Sequence, residues 1–114
     1  MRENDLQVRL FSFAVDVLKM LGQLKVTKET DVLKYQLSKS ATSAGANYEE
    51  SQAAVSKADF SNKIGISLKE IRESHYWLRI ILELFPETEK IKILTKESEE
   101  LGKILASILI KSKN

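Results

Sequence analysis

"SATSAGANYEESQAA", residues 40–54, decides the fold, because its fifteen positions hold one large apolar side chain, Tyr48. A run so poor in bulk is either a glycine-rich loop that cradles a phosphate or a helix face pared down for close packing. The phosphate loops need Gly-x-x-x-x-Gly-Lys-Ser/Thr or Gly-x-Gly-x-x-Gly between a strand and a helix. Here there is one glycine, Gly45, with no lysine after it and no strand pattern before it. The small residues instead continue a repeat that leucines begin: Leu33, Leu37, Ala41, Ala44, Tyr48, Ser51 and Val55 fall at the three-to-four spacing of one helical face. Glycine inside a helix costs about 1 kcal/mol relative to alanine. Close packing is the expected compensation, with Ser40, Ala41, Ala44, Gly45 and Tyr48 letting a neighbouring backbone come nearer than the usual 8–10 Å or so between helix axes.

The same periodicity extends to both sides of this helix. Upstream, Leu6, Leu10, Phe13, Ala14, Val17, Leu21 and Leu24 make one stripe. Val8, Phe11, Val15 and Leu18 make a second, so this helix needs cover on two sides. Gly22 and the polar run from Lys25 to Thr30 form a turn, after which Thr27 or Thr30 can cap the free amides of the next helix. Downstream, Ser56 with Asp59 resembles a capping box. It opens a third helix carrying Phe60, Ile64, Ser67, Leu68, Ile71, His75, Leu78, Leu82 and Phe85, which Pro86 stops. A fourth turns Ile91, Leu94, Leu101, Leu105 and Ile108 inward, with Lys90, Lys92, Glu97, Glu99 and Lys103 outward. The predicted spans are about 4–24, 29–55, 57–85 and 87–111, the longer ones near 25 residues or roughly 38 Å. The expected fold is all-α: one domain over residues 1–114, an up-down-up-down antiparallel four-helix bundle.

Composition agrees and excludes several functions. The 114 residues are 43% hydrophobic and 30% charged, as in folded globular chains. Four glycines and one proline are too few for the turns of a β-sandwich. With no cysteine there is no disulfide, thiolate metal site or cysteine nucleophile, and a cytoplasmic location is expected. Arg9, Asp16 and Lys19 interrupt the N-terminal apolar run, which therefore reads as a helix and not as a signal peptide, and no membrane span is predicted. A formal net charge of +2 permits a nucleic-acid partner without requiring one.

The polar pattern of most interest is Lys69, Arg72, Tyr76 and Arg79, spaced along one stripe of the third helix. Three cations beside an aromatic ring can neutralise phosphates while the ring stacks on an unpaired base. In the competing reading Glu70, Glu73 and Glu83 pair with these cations one turn away and leave a solvated or intersubunit face. His75, the single histidine, reads as a buried, hydrogen-bonded imidazole, and the Glu-x-x-His pairs of di-iron bundles would need a second. Asn47 and Glu50 read as a buried network that fixes how the second helix meets its neighbours. Glu97, Glu99 and Glu100 read as a solvated face. No catalytic residues, metal or cofactor are expected.

Residues 35–81, and within them Gln36, Leu37, Lys39, Ala41, Ser43, Asn47, Glu49 or Glu50, Lys57, Phe60, Leu68, Glu70 and Ser74, resemble a family of small four-helix-bundle proteins. That family was first noticed as the product of intervening sequences in bacterial 23S ribosomal RNA genes. The chain departs from its pattern at the Ala44-Gly45 region, where the family has a proline, at Ser51 in place of a glycine, and at Lys39, the remnant of a basic pair. The resemblance implies a homopentameric ring. It also relates the chain to accessory proteins of diversity-generating retroelements, whose basic surface meets RNA and a reverse transcriptase. The excess of apolar residues independently calls for an oligomer, with Phe11, Val15, Trp77, Ile80, Ile81 and Leu84 expected at its interface. Two functions follow as expectations: a non-enzymatic accessory protein that binds RNA or DNA, or a scaffold that meets only other proteins.

Overall fold

The computed structural model describes residues 5–113. Its elements are four helices, α1 (Asp5–Leu21), α2 (Lys28–Gln52), α3 (Lys57–Leu84) and α4 (Glu89–Ser112). At 1.5 Å per residue α3 is about 42 Å long, close to the 44 Å longest extent of the molecule. Helix α3 therefore runs the length of the fold, and the site it builds with its neighbours is a seam between helices. Helix α1 packs on α2 and α4, α3 packs on the same two, and among the described residues the diagonal pairs do not meet.

The predicted stripes form the core. Leu6, Leu10, Phe13, Val17 and Leu21 of α1, Leu33, Leu37, Ala41, Ala44 and Tyr48 of α2, and Ile91, Leu94, Leu101 and Leu105 of α4 are all buried. The stretch at 40–54 is helical to Gln52. A Cβ placed on Gly45 would lie 3.6 Å from the carbonyl oxygen of Leu10, so α1 does pass close to α2 there. Those distances are ordinary van der Waals contact, and an alanine would fit.

Helix ends differ from expectation where local bonding decides them. Thr27 is the cap of α2: its Oγ1 accepts from Thr30 N at 3.1 Å, while Thr30 Oγ1 accepts from Thr27 N at 2.8 Å, so both threonines serve in one reciprocal box. Ser56 caps α3 by accepting from Asp59 N, but the Asp59 carboxylate reaches past it to the amide of Val55. Helix α2 stops before Val55, which is 92% exposed and not part of its inner stripe. Leu24 lies beyond α1 yet still packs on the core.

Along α3 the inner stripe runs Ile64, Ser67, Leu68, Ile71, Ser74, Leu78 and Ile81. This corrects two expectations. Ile81 is fully buried within the chain and so is a core residue, unavailable to an oligomer interface. His75 and Leu82, one position further round, are half-buried at the edge of the stripe. Three buried serines bond across the α2–α3 seam: Ser40 Oγ lies 2.7 Å from Ser74 Oγ, and Ser67 Oγ donates to Ala44 O at 2.7 Å. Asn47 and Glu50 do not form the expected buried network. Asn47 donates to Ser43 one turn back, and Glu50 is an exposed partner of Lys63 at 2.9 Å, which raises the lysine pKa through that hydrogen bond.

Candidate nucleic-acid interface

Residues 69, 72, 76 and 79 share a stripe because their spacing follows the helical turn, and α3 holds all four side chains exposed. Among the described residues Lys69, Arg72 and Arg79 take part in no ion pair, whereas Arg9, Lys63, Lys90 and Lys103 each have a carboxylate partner. Of the glutamates expected to neutralise the stripe, Glu73 instead accepts from Trp77 Nε1 at 3.3 Å. Lys69, Arg72 and Arg79 are therefore left without a carboxylate partner among the described residues.

Tyr76 is less free than its spacing suggests. The Arg79 guanidinium sits 5.7 Å from its ring centre, and Trp77 meets it edge-on at 5.2 Å. A base stacking on the face that Arg79 covers would have to displace that guanidinium.

The stripe also splits along its length. Lys69 belongs to a shallow recess near the start of α3, while Arg72 and Arg79 flank a groove of about 380 Å³ between α3 and α4. The groove exists because α4 presents Ser98, Gly102 and Ala106 to it, at successive turns, where larger side chains would fill the space. Helix α4 comes close here: a Cβ on Gly102 would lie 3.4 Å from Cγ2 of Ile71. Exposed Glu99 and Lys103, 3.6 Å apart, form the opposite rim. His75 lies three residues after Arg72 and four before Arg79 and so points into the same seam. Its Nδ1 is 2.9 Å from Ser98 Oγ and 3.2 Å from Thr95 O. No stripe read along α3 alone could find Lys103 or Glu99, because they enter the site only through the packing of α4. The available signal was the spacing of small residues on α4.

The remaining expected interface residues fall into two kinds. Phe11 and Leu84 are 63% and 53% exposed, while Val15, Trp77 and Ile80 are half-buried. Phe11 and Val15 line a mostly apolar groove of about 340 Å³ between α1 and α2, together with Leu18 and Gly45. On the other side of α1, Arg9 donates to Glu97 from Nε at 3.0 Å and from Nη2 at 2.6 Å. This bidentate bond, aided by Glu100, raises the Arg9 pKa and draws Glu97 out of the solvated face expected of it. No helix among the described residues is long and apolar enough to cross a membrane, and no cluster of three or more metal-ligating side chains occurs among them.

These features define an all-α, bundle-type protein with a cationic seam between two of its helices. Residues 2–107 match the family model of the 23S rRNA-intervening sequence protein, and the chain belongs to that family. It is similar to the crystal structure of a protein of unknown function from the S23 ribosomal protein family of Bacteroides thetaiotaomicron, with 32% identity and a TM-score of 0.80 over 91% of this chain and 97% of that one. No curated protein matches the chain.

Proposed function

We propose that the protein is a non-enzymatic, oligomeric accessory protein that associates with RNA through α3. The observation that carries this reading is the set of exposed, unpaired cations Lys69, Arg72 and Arg79. Uncompensated charge on a rigid helix is what phosphate contacts need, since each contact releases condensed counterions. Membership of a family named for intervening sequences of 23S rRNA supports RNA as the partner. The bundle topology that goes with it is up-down-up-down: residues bonded across α2 and α3, such as Ser40 with Ser74 and Glu50 with Lys63, run in opposite order along the chain, as do those across α1 and α4.

Assembly belongs to the same proposal. The exposed Phe11 and Leu84 and the apolar α1–α2 groove supply a surface for further copies, and the family resemblance suggests a ring of five. A ring repeats the α3 cations around its axis, so contacts that are weak singly act together. A second reading is favoured by the same groove: an apolar depression next to exposed Phe11 also suits another protein, and then the protein is a scaffold with no nucleic-acid role.

The test is fluorescence anisotropy of structured RNA, single-stranded RNA and duplex DNA at several salt concentrations, with wild type and R72E/R79E, assembly mass being checked by light scattering. Affinity for RNA is expected to fall linearly in log salt and to be lost in an intact R72E/R79E assembly. An absence of binding at about 50 mM salt, where phosphate contacts are strong, refutes the RNA reading and leaves the scaffold.

A further inference from the structure

We infer that the contact with RNA is made by the α3–α4 groove as a unit: a backbone phosphate sits between Arg72, Arg79 and Lys103 and takes a hydrogen bond from Nε2 of His75. This rests on the RNA reading above and replaces its simplest form, a stripe along α3 with Tyr76 stacking on a base.

The argument begins with the histidine. Thr95 O can only accept, and it already takes the hydroxyl proton of Ser98 at 2.7 Å. Nδ1 of His75 faces both that carbonyl and Ser98 Oγ, and a hydrogen on Nδ1 satisfies the two contacts together, so we assign the ring that tautomer. The ring is thus pinned, and Nε2 is the nitrogen left over. Among the described residues no fully buried side-chain nitrogen or oxygen lacks a partner, so Nε2 is not sealed in the core, and His75 lines the groove. Its position beside two arginines on one wall and a lysine on the other gives donors converging from two helices. The small side chains of Ser98, Gly102 and Ala106 leave room for the anion between them. One carboxylate, Glu99, opposes it, and Lys103 partners that group only across 3.6 Å at the surface. Tyr76, by contrast, already has Arg79 over its ring and Trp77 at its edge.

The arrangement couples binding to a proton. With hydrogen fixed on Nδ1, neutral His75 presents a lone pair at Nε2, which a phosphodiester oxygen, itself without hydrogen, cannot pair with. Donation from Nε2 needs the imidazolium, and imidazoles charge between about pH 5 and 8. The groups facing His75 are Arg72 and Arg79 from α3 and Glu99 and Lys103 from α4. Because only the imidazolium can donate from Nε2 to a phosphodiester oxygen, affinity for RNA rises as pH falls.

The experiment uses the full chain and fluorescein-labelled oligouridylate, titrated by anisotropy at about pH 6 and pH 8, with K103A, E99Q, Y76L, H75N and H75Q, each checked for helicity and assembly mass. The asparagine amide can keep the bond that Nδ1 makes to α4 while deleting Nε2; the glutamine amide places a permanent donor near Nε2. K103A and H75N are expected to weaken binding about tenfold at pH 6, the scale of one lost bond to a charged group. E99Q tightens it, Y76L leaves it unchanged, and H75Q binds without the pH dependence of wild type. Full affinity in K103A and H75N, with loss in Y76L or only in R72E/R79E, overturns the groove and leaves the α3 contact standing. Wild type that fails to bind RNA at either pH overturns both.

Discussion

Three glycines in helix interiors meet different surroundings, and replacing each by alanine gives a graded test of the packing. A Cβ on Gly65 would touch nothing within 4 Å, one on Gly45 would rest 3.6–3.7 Å from Leu10, and one on Gly102 would come to 3.4 Å from the buried Ile71. G65A therefore reads helix propensity alone and is expected to stabilise by about 1 kcal/mol. G45A adds the same gain and puts a methyl into ordinary contact with α1, worth up to about 0.8 kcal/mol more if it is fully removed from water. Its expected gain is roughly 1–1.5 kcal/mol. G102A presses a methyl onto a side chain sealed among others, so its propensity gain is offset and little net change is expected.

The assay is thermal and urea unfolding followed by circular dichroism at one fixed protomer concentration, because an assembling protein melts according to concentration. A gain of 1 kcal/mol corresponds to about 4 °C at this chain length. A fall in stability for G45A, with G65A stabilised as expected, would refute the reasoning: α1 would then lie against α2 too tightly for any side chain at 45. Since Gly45 also lines the α1–α2 groove, light scattering on the same samples separates a local clash from lost assembly. G45V, which adds bulk beside the backbone and Cβ of Leu10, is expected to lose roughly 1–3 kcal/mol.

Other outcomes follow from the contacts described. R9A removes a bidentate, half-buried bond between α1 and α4 and should cost roughly 1.5–3 kcal/mol in urea unfolding. S74A takes away the cross-helix partner of Ser40, whose hydroxyl keeps its longer bond to Leu37 O at 3.3 Å, and is expected to lose roughly 1 kcal/mol, whereas S40A/S74A should lose less than the sum of the two single changes in a double-mutant cycle. F11D places a charge in the apolar α1–α2 groove and should lower the assembly mass in light scattering without loss of helicity. Lys63, held by Glu50, should titrate above the ordinary lysine value of 10.5 in an NMR pH series and fall toward it in E50Q. Because its folded pKa is raised, the stability it adds is present below that ordinary value and is lost as pH rises through the raised one.

The core was legible where large aliphatic or aromatic residues marked the inner face, as in Leu6, Leu10, Phe13 and Val17 of α1. It was misread where a small polar residue marks it. Ser74 and Ser98 are buried, yet they carry no hydropathic signal, and so the α3 stripe was traced through His75 and Leu82 instead of Ser74 and Ile81. That slip of one position is what sent Ile81 to the surface. The stripe of Lys69, Arg72, Tyr76 and Arg79 could be read from spacing, because neighbours on a helix face are fixed by the turn. Its division into recess and groove, the engagement of Tyr76 by Arg79, and the arrival of Lys103 depend on which helix packs alongside and at what register, and no single helix encodes those.

The serines of the α2–α3 seam act as a vernier. Leucines meeting leucines allow two helices to slide by a turn at little loss, since one apolar contact replaces another. Ser67 can donate to Ala44 O, and Ser40 meet Ser74, at one setting only, and a slide of one turn, about 5.4 Å, would leave these hydroxyls without their cross-helix partners. Three small hydroxyls thus fix the axial position of α3, and with it the height at which Arg72, His75 and Arg79 stand against α4.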